Sequence, residues 1–238
     1  MFVNLLPYWP YLLGAAVVAY LCGSISSAIL ITRAVSNQDI RDVGSGNAGM
    51  TNVLRTLGSR PAVWTTLGDV GKSVVAAWLG GVLLAWGWSN MLTRCGEPPV
   101  LSDEQARMAG QYIAGLFCTL GHTFPVFFGF RGGKGVLVGL GMLIVTDWRV
   151  ALAVVVVFIT VVALSRMVSL GSLCGAATAI PATWLFRWLV DGESTGTIVF
   201  AVVMVTAVVA ILFIMHHGNI QRIAGGCERK LSFGKKEG

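Results

Sequence analysis

The sequence predicts an all-α membrane protein with seven transmembrane helices, forming a single integral membrane domain over residues 1–238. Hydrophobic residues make up 55% of the chain and charged residues only 12%, where a soluble domain carries about 25% charged residues. Mean hydropathy is +0.75. Several apolar runs approach the ~20 residues that cross ~30 Å of hydrocarbon as a helix.

Taken in order, the spans are expected at residues 11–32, 62–88, 108–128, 135–146, 150–164, 169–188 and 197–215. The first is no cleaved signal, because residues 1–10 carry no Lys or Arg and the apolar run has the length of a full span. Leu21 before Cys22 also excludes a lipoprotein site. Trp64, Trp86, Trp88, Trp148, Trp184 and Trp188 fall near span ends, where amphipathic rings favour the headgroup layer. The fourth span is short, since about twelve helical residues reach only ~18 Å. Either the bilayer thins there, or the start of the helix, "RGGKG", lies in a water-filled pocket.

Charge sets the expected orientation. With the amino terminus outside, the inner side carries Arg33, Arg41, Arg55, Arg60, Arg131, Lys134, Arg166 and Arg222, with Arg229, Lys230, Lys235 and Lys236 of the tail. The outer side carries Arg94, Arg107, Arg149 and Arg187, mixed with acidic Glu97, Asp103, Glu104, Asp147, Asp191 and Glu193. The positive-inside rule then places the carboxyl terminus in the cytoplasm. The net charge of +6 thus reads as an orientation signal and does not require nucleic acid. Five dispersed cysteines without metal spacing read as small buried hydrophobes.

The unusual polar sequence maps to the inner face. In "DVGSGNAGMTNVLR", glycines beside Ser45 and Asn47 let backbone N–H groups converge into an anion nest, with Gly46 at its centre. Ser45, Asn47, Thr51 and Asn52 add neutral donors, and Arg55 adds a forked cation suited to phosphate. A helix starting near Thr51 would contribute its dipole. In "RGGKG", Gly132 and Gly133 allow close backbone approach, and Lys134 supplies a point charge at a helix start.

"GDVGKS" is not a Walker loop, because Thr66 stands where its first glycine belongs and no strand precedes it. Asp69 and Lys72 instead share a helical face and are expected to pair. His216 and Asn219 would face one pocket if the last helix continues through them, with His217 solvated. His122, at the inner end of the third span, fits a structural cap and a site residue equally well.

Together, "GSISSAILITR", "GSGNAGMTNVLRTLG", "GHTFPVFFGFRGGKGV", "MVSLGS" and "HHGNIQR" resemble the bacterial acyl-phosphate-dependent glycerol-3-phosphate acyltransferases, the PlsY family, over nearly the whole chain. The resemblance implies a multi-pass enzyme of the bacterial inner membrane, with a periplasmic amino terminus, a cytoplasmic carboxyl terminus and active-site loops on the cytoplasmic face. It implies transfer of a fatty acyl group from acyl phosphate to the 1-hydroxyl of sn-glycerol 3-phosphate. The products are 1-acyl-sn-glycerol 3-phosphate (lysophosphatidic acid) and phosphate, in the first step of phospholipid synthesis. No cofactor or metal is implied. The expected partners are the two substrates, the lipid bilayer and the enzyme that makes acyl phosphate.

Matched residue by residue, the family's functional positions fall on Ser45, Asn47, Thr51, Arg55, Lys134, Ser169, His216 and Asn219. Lys134, Arg55, His216 and Asn219 are expected to be catalytic, and Ser45, Gly46, Asn47, Thr51, Asn52, Gly132, Gly133 and Ser169 to bind substrate. The chain departs from the family at Met50, within "GDVGKS", at Arg131 and at Leu137-Val138, which touches packing and chain length rather than the phosphate donors.

Acyl phosphate is already activated, so the chemistry needs neither ATP nor a covalent enzyme intermediate. Two cationic loops would offset the repulsion between two bound anions. Either His216 or a phosphate oxygen of the donor takes the proton. The His-x4-Asp pairing of thioester-using acyltransferases is absent, since Phe127, Gln221 and Arg222 stand at that spacing. The alternative is a transporter or flippase for phosphorylated metabolites, although the polar motifs lie on one face and no paired halves are visible.

Overall fold

The computed structural model describes residues 1–95 and 101–231. Glu97, Lys235 and Lys236, used above for orientation, lie outside them. Among the described residues there is no strand, and ten α-helices follow in order. They are α1 (Trp9–Ser24), α2 (Ser27–Ser36), α3 (Met50–Leu57), α4 (Ser59–Cys95), α5 (Asp103–Thr123), α6 (Val136–Thr146), α7 (Trp148–Ser165), α8 (Val168–Leu185), α9 (Thr195–Met215) and α10 (His217–Ala224). Five helical segments are long and apolar enough to cross a membrane: Asn4–Ser36, Ser59–Thr93, Trp148–Ser165, Val168–Val190 and Thr195–Met215.

Two expected spans are corrected. Residues 11–32 are not one helix, because Ile25 and Ser26 leave helical geometry with ψ of 105° and 103°. The break is solvated by protein: Lys72 Nζ donates to the Ile25 carbonyl at 2.7 Å, and the Ser26 side chain accepts from the Ile29 N–H. Residues 108–128 are likewise shortened, since α5 stops at Thr123. Pro125 disfavours helical geometry at Phe124, and the chain turns there with Phe124 at φ −123° and ψ 66°. In contrast, α4 outruns the expected residues 62–88 at both ends.

Small residues let α1, α4 and α5 meet backbone to backbone. A Cβ on Gly110 would stand 2.1 Å from the Gly80 carbonyl oxygen, and one on Gly23 2.1 Å from that of Cys118. A Cβ on Gly121 would meet the Tyr20 carbonyl equally closely. Van der Waals contact of this kind, rather than a solvent-driven effect, holds membrane helices together. The resulting three-helix wall anchors the loops at one end of the bundle. Helices α6 to α9 complete the bundle.

Candidate functional site

The loop between α2 and α3 is built around Asn52. This residue is buried; its Oδ1 accepts the Ser45 N–H at 2.9 Å, and its amide donates to the carbonyls of Ile40, Val43 and Asn47. Gly44, with φ of +65°, lies so close that a Cβ there would stand 2.2 Å from Asn52 Oδ1. Asn52 therefore shapes the loop instead of offering free donors, which corrects its expected role. The expected nest is also narrower, because the N–H groups of Ser45, Gly46 and Gly49 bond within the loop. The loop presents the backbone of Gly44, Gly46 and Gly49 with the side chains of Ser45 and Asn47, and the start of α3 adds Thr51 and Arg55.

A second loop, between α5 and α6, is fastened to the first. Asp39 accepts from Arg41 Nε and Nη2 at 2.9 and 2.8 Å, and Arg41 Nη1 donates to the Phe128 carbonyl at 2.6 Å. The fork of Arg41 holds the Asp39 carboxyl well below the usual carboxylate range. Gly132 and Gly133 donate their N–H groups to the Thr123 and His122 carbonyls, both at 3.1 Å. A Cβ on Gly133 would stand 2.6 Å from the Ala48 carbonyl oxygen of the first loop. These two glycines do not line the cavity, so their expected part in binding is corrected to one of packing. They bring the two loops together and leave Lys134 at the cavity.

Beneath the second loop, Lys72 Nζ lies 3.0 Å from Asp69 Oδ1 and 3.1 Å from His122 Nδ1. The expected Asp69–Lys72 pair is thus present and includes His122, so each charge has a partner at depth. Asp69 and His122 also border the cavity.

The cavity has a volume of about 610 Å³. Ser45, Asn47, Thr51, Arg55, Lys134, Ser169, His216 and Asn219 all line its polar end. Gly135 and Val136 line it too, so the short α6 begins at the cavity.

Lys134 donates to Asn219 Oδ1. Burial, with Arg222 nearby, lowers the Lys134 ammonium to a pKa of about 8. The last helix does not continue through His216, as one face for His216 and Asn219 would need; α9 ends at Met215 and His216 turns the chain into α10. Both still reach the cavity. His216 Nδ1 lies 2.7 Å from the Leu212 carbonyl, which can only accept, so the ring carries its proton on Nδ1 and leaves Nε2 as a free lone pair. Burial pushes its pKa down to about 4. His217 is exposed, as expected.

Sequence reasoning missed Glu228, Arg222 and Arg229, which also border the cavity. Glu228 accepts from Asn219 Nδ2 at 2.7 Å, Ser169 Oγ at 2.8 Å and Arg222 Nε at 2.8 Å. Burial pushes its carboxyl up, but these three donors outweigh that and hold it below its ordinary value. The tail returns because Gly226, with φ of +68°, reverses the chain, and the Leu231 N–H then bonds the Arg166 carbonyl at 2.7 Å. A Gly-Gly turn after α10 was the available signal. Four cations, against Glu228 and an Asp69 already paired with Lys72, make this end of the cavity a seat for anions.

Residues 13–226 match the family model described as glycerol-3-phosphate acyltransferase. The chain is 36% identical over 222 residues to the glycerol-3-phosphate acyltransferase of Clostridioides difficile (strain 630), covering 91% of this chain and 93% of that one. It is 40% identical over 221 residues to that of Cereibacter sphaeroides (strain ATCC 17025 / ATH 2.4.3), covering 92% and 89%. The fold resembles the crystal structure of PlsY, an integral membrane glycerol 3-phosphate acyltransferase, in its glycerol 3-phosphate form. That likeness has a TM-score of 0.73 at 31% identity, over 93% of this chain and 96% of that one. The lysophosphatidic acid form of PlsY gives a TM-score of 0.72 at 29% identity, over 93% and 95%.

Proposed function

The chain belongs to the glycerol-3-phosphate acyltransferase family, and from that membership we propose that acyl phosphate is its donor and lysophosphatidic acid its product. The carrying observation is one cavity with cations at one end and, Ser172 apart, apolar walls beyond. Such a shape suits a phosphate head joined to a hydrocarbon chain, beside a second small phosphate.

Ser45, Asn47, Thr51 and Arg55 take one phosphate. Lys134 neutralises charge between the two substrates, and Ser169, His216 and Asn219 orient the glycerol 3-phosphate. Its 1-hydroxyl oxygen attacks the acyl carbonyl carbon, the bond from that carbon to the phosphate oxygen breaks, and inorganic phosphate leaves. Arg55 and Lys134 stabilise the charge gathering on the leaving phosphate. The hydroxyl proton goes to an oxygen of that phosphate. Burial disfavours the charged form of His216, whereas the phosphate is already an anion beside the hydroxyl. Neutral His216 serves better as a hydrogen-bond acceptor that aims the hydroxyl.

The broken α1–α2 segment, α4, α5, α6, α7, α8 and α9 form the seven spans, with the amino terminus periplasmic and the site facing the cytoplasm of a bacterial inner membrane. Labelling single introduced cysteines with an impermeant maleimide tests that orientation. The reaction is tested with purified protein in micelles, an acyl phosphate and labelled glycerol 3-phosphate, without nucleotide or metal. Lysophosphatidic acid should form. Uptake of glycerol 3-phosphate into vesicles with no acylated product would favour a transporter instead.

A further inference from the structure

Away from its charged end, the cavity runs between four helices. On α8 it is bordered by one stripe from Ser169 through Ser172 and Ala176 to Ala179. On α9 the border runs from Met215 to Val205, and on α6 it ends at Met142 and Leu143. From Ser169 to Ala179 is ten residues, a depth of about 15 Å. This is half of the ~30 Å hydrocarbon core, one leaflet's worth of chain.

The cavity lining stops at that depth. Five residues beyond Val205, toward the amino end of α9, Phe200 is fully buried, and its ring stands edge-on to the buried Tyr112 at 6.3 Å. Behind them sits buried Arg187, whose Nη2 donates to Tyr112 Oη at 3.2 Å and whose Nη1 donates to Glu193 at 2.6 Å. None of these four residues borders the cavity. Moving the rings aside would break a buried, hydrogen-bonded charge, so the packing beyond the last lining residues is stiff. Met142 is equally buried and lies against Gly115, where a Cβ would stand 2.2 Å from its Cγ.

We infer that this bore measures the acyl chain of the donor, with Met142, Ala179 and Val205 setting the longest chain that fits. The inference rests on the acyl-transfer reading above and adds the length of the preferred substrate. An extended chain advances about 1.25 Å per methylene, from C–C bonds of about 1.5 Å at tetrahedral angles. The bore therefore holds about twelve methylenes, and acyl groups of about twelve to fourteen carbons fill it.

The test is kcat/KM for straight-chain acyl phosphates from octanoyl to stearoyl, with glycerol 3-phosphate saturating. The wild-type profile should peak near twelve to fourteen carbons and fall beyond. Ala176→Phe raises the floor by three residues, about 4.5 Å, so the peak should move about four carbons shorter. The octanoyl-to-palmitoyl ratio should then rise at least tenfold. Met142→Ala lowers the floor and should move the peak longer, a shift that general damage to the fold does not produce.

A flat wild-type profile, or the wild-type profile in both active variants, overturns the gauge. If Ala176→Phe turns over no donor, Met142→Ala decides alone. If the wild type acylates glycerol 3-phosphate from no acyl phosphate at all, the donor reading itself has failed and the gauge falls with it.

Discussion

The two sides of the bundle use small residues in opposite ways. Along α1, α4 and α5, Gly23, Gly80, Gly110 and Gly121 remove the space between backbones. Along α8, Gly171 and Gly175 meet α7 closely, but Ala176 and Ala179 on the neighbouring stripe leave space, and the cavity occupies it. Lipid offers helices no solvent-driven reason to close, so each side holds the spacing its side chains dictate. The tight side provides fixed carbonyls, at His122 and Thr123, on which the Lys134 loop is pinned. The hollow side provides room for a long apolar substrate.

The sharpest way to break this contrast is to add bulk on the tight side. Gly110→Leu would drive a side chain into the Gly80 carbonyl and should abolish folded protein, read as loss of a monodisperse peak after detergent extraction. A normally folded Gly110→Leu would show that the wall is not close-packed.

Within the site, Lys134→Ala and Arg55→Ala should each lose at least ~2.7 kcal/mol of transition-state stabilisation, about a hundredfold in kcat. Near-normal turnover in both would remove them from the chemistry. Glu228→Gln should cost roughly tenfold to a hundredfold in kcat/KM by weakening charge-assisted bonds worth about 1.5–3 kcal/mol. A variant with wild-type kinetics would leave the returning tail without a part in the site.

The pH dependence follows from Lys134. The proposed mechanism needs its charged form, and its pKa is about 8 in the free protein, so kcat/KM should hold below pH 8 and fall as pH rises through it. Bound phosphates favour the charged lysine, so the descending limb of kcat should lie at higher pH. Coincident limbs would detach the effect from Lys134. The smallest effect is expected on the hollow side. A Cβ on Gly139 would meet only Val208, at 3.5 Å, and Gly139→Ala should change thermal stability by no more than about 0.5 kcal/mol.

Much of this was legible in the residues. Apolar runs and scarce charge gave an all-helical membrane chain, and the family resemblance carried by the polar motifs named the eight residues that line the polar end of the cavity together. The helix break at Ile25 was hidden because its support comes from Lys72, 47 positions away in sequence. Gly132 and Gly133 read as anion-binding because a glycine-rich run looks the same whether its N–H groups face a ligand or another strand of chain. Asn52 read as a donor for the same reason. Glu228 lay in a basic tail without periodicity, and only the reversal at Gly226 brings it to Asn219. Side chains on one element can be read from spacing, whereas a returning tail requires the fold.

The most direct test of the account is the product formed when purified protein receives lauroyl phosphate and labelled glycerol 3-phosphate and nothing else. The account predicts 1-lauroylglycerol 3-phosphate and one phosphate released per turnover, with about a hundredfold loss in Lys134→Ala. No acylated product from acyl phosphate, with acylation appearing only when a thioester donor is supplied, would contradict it.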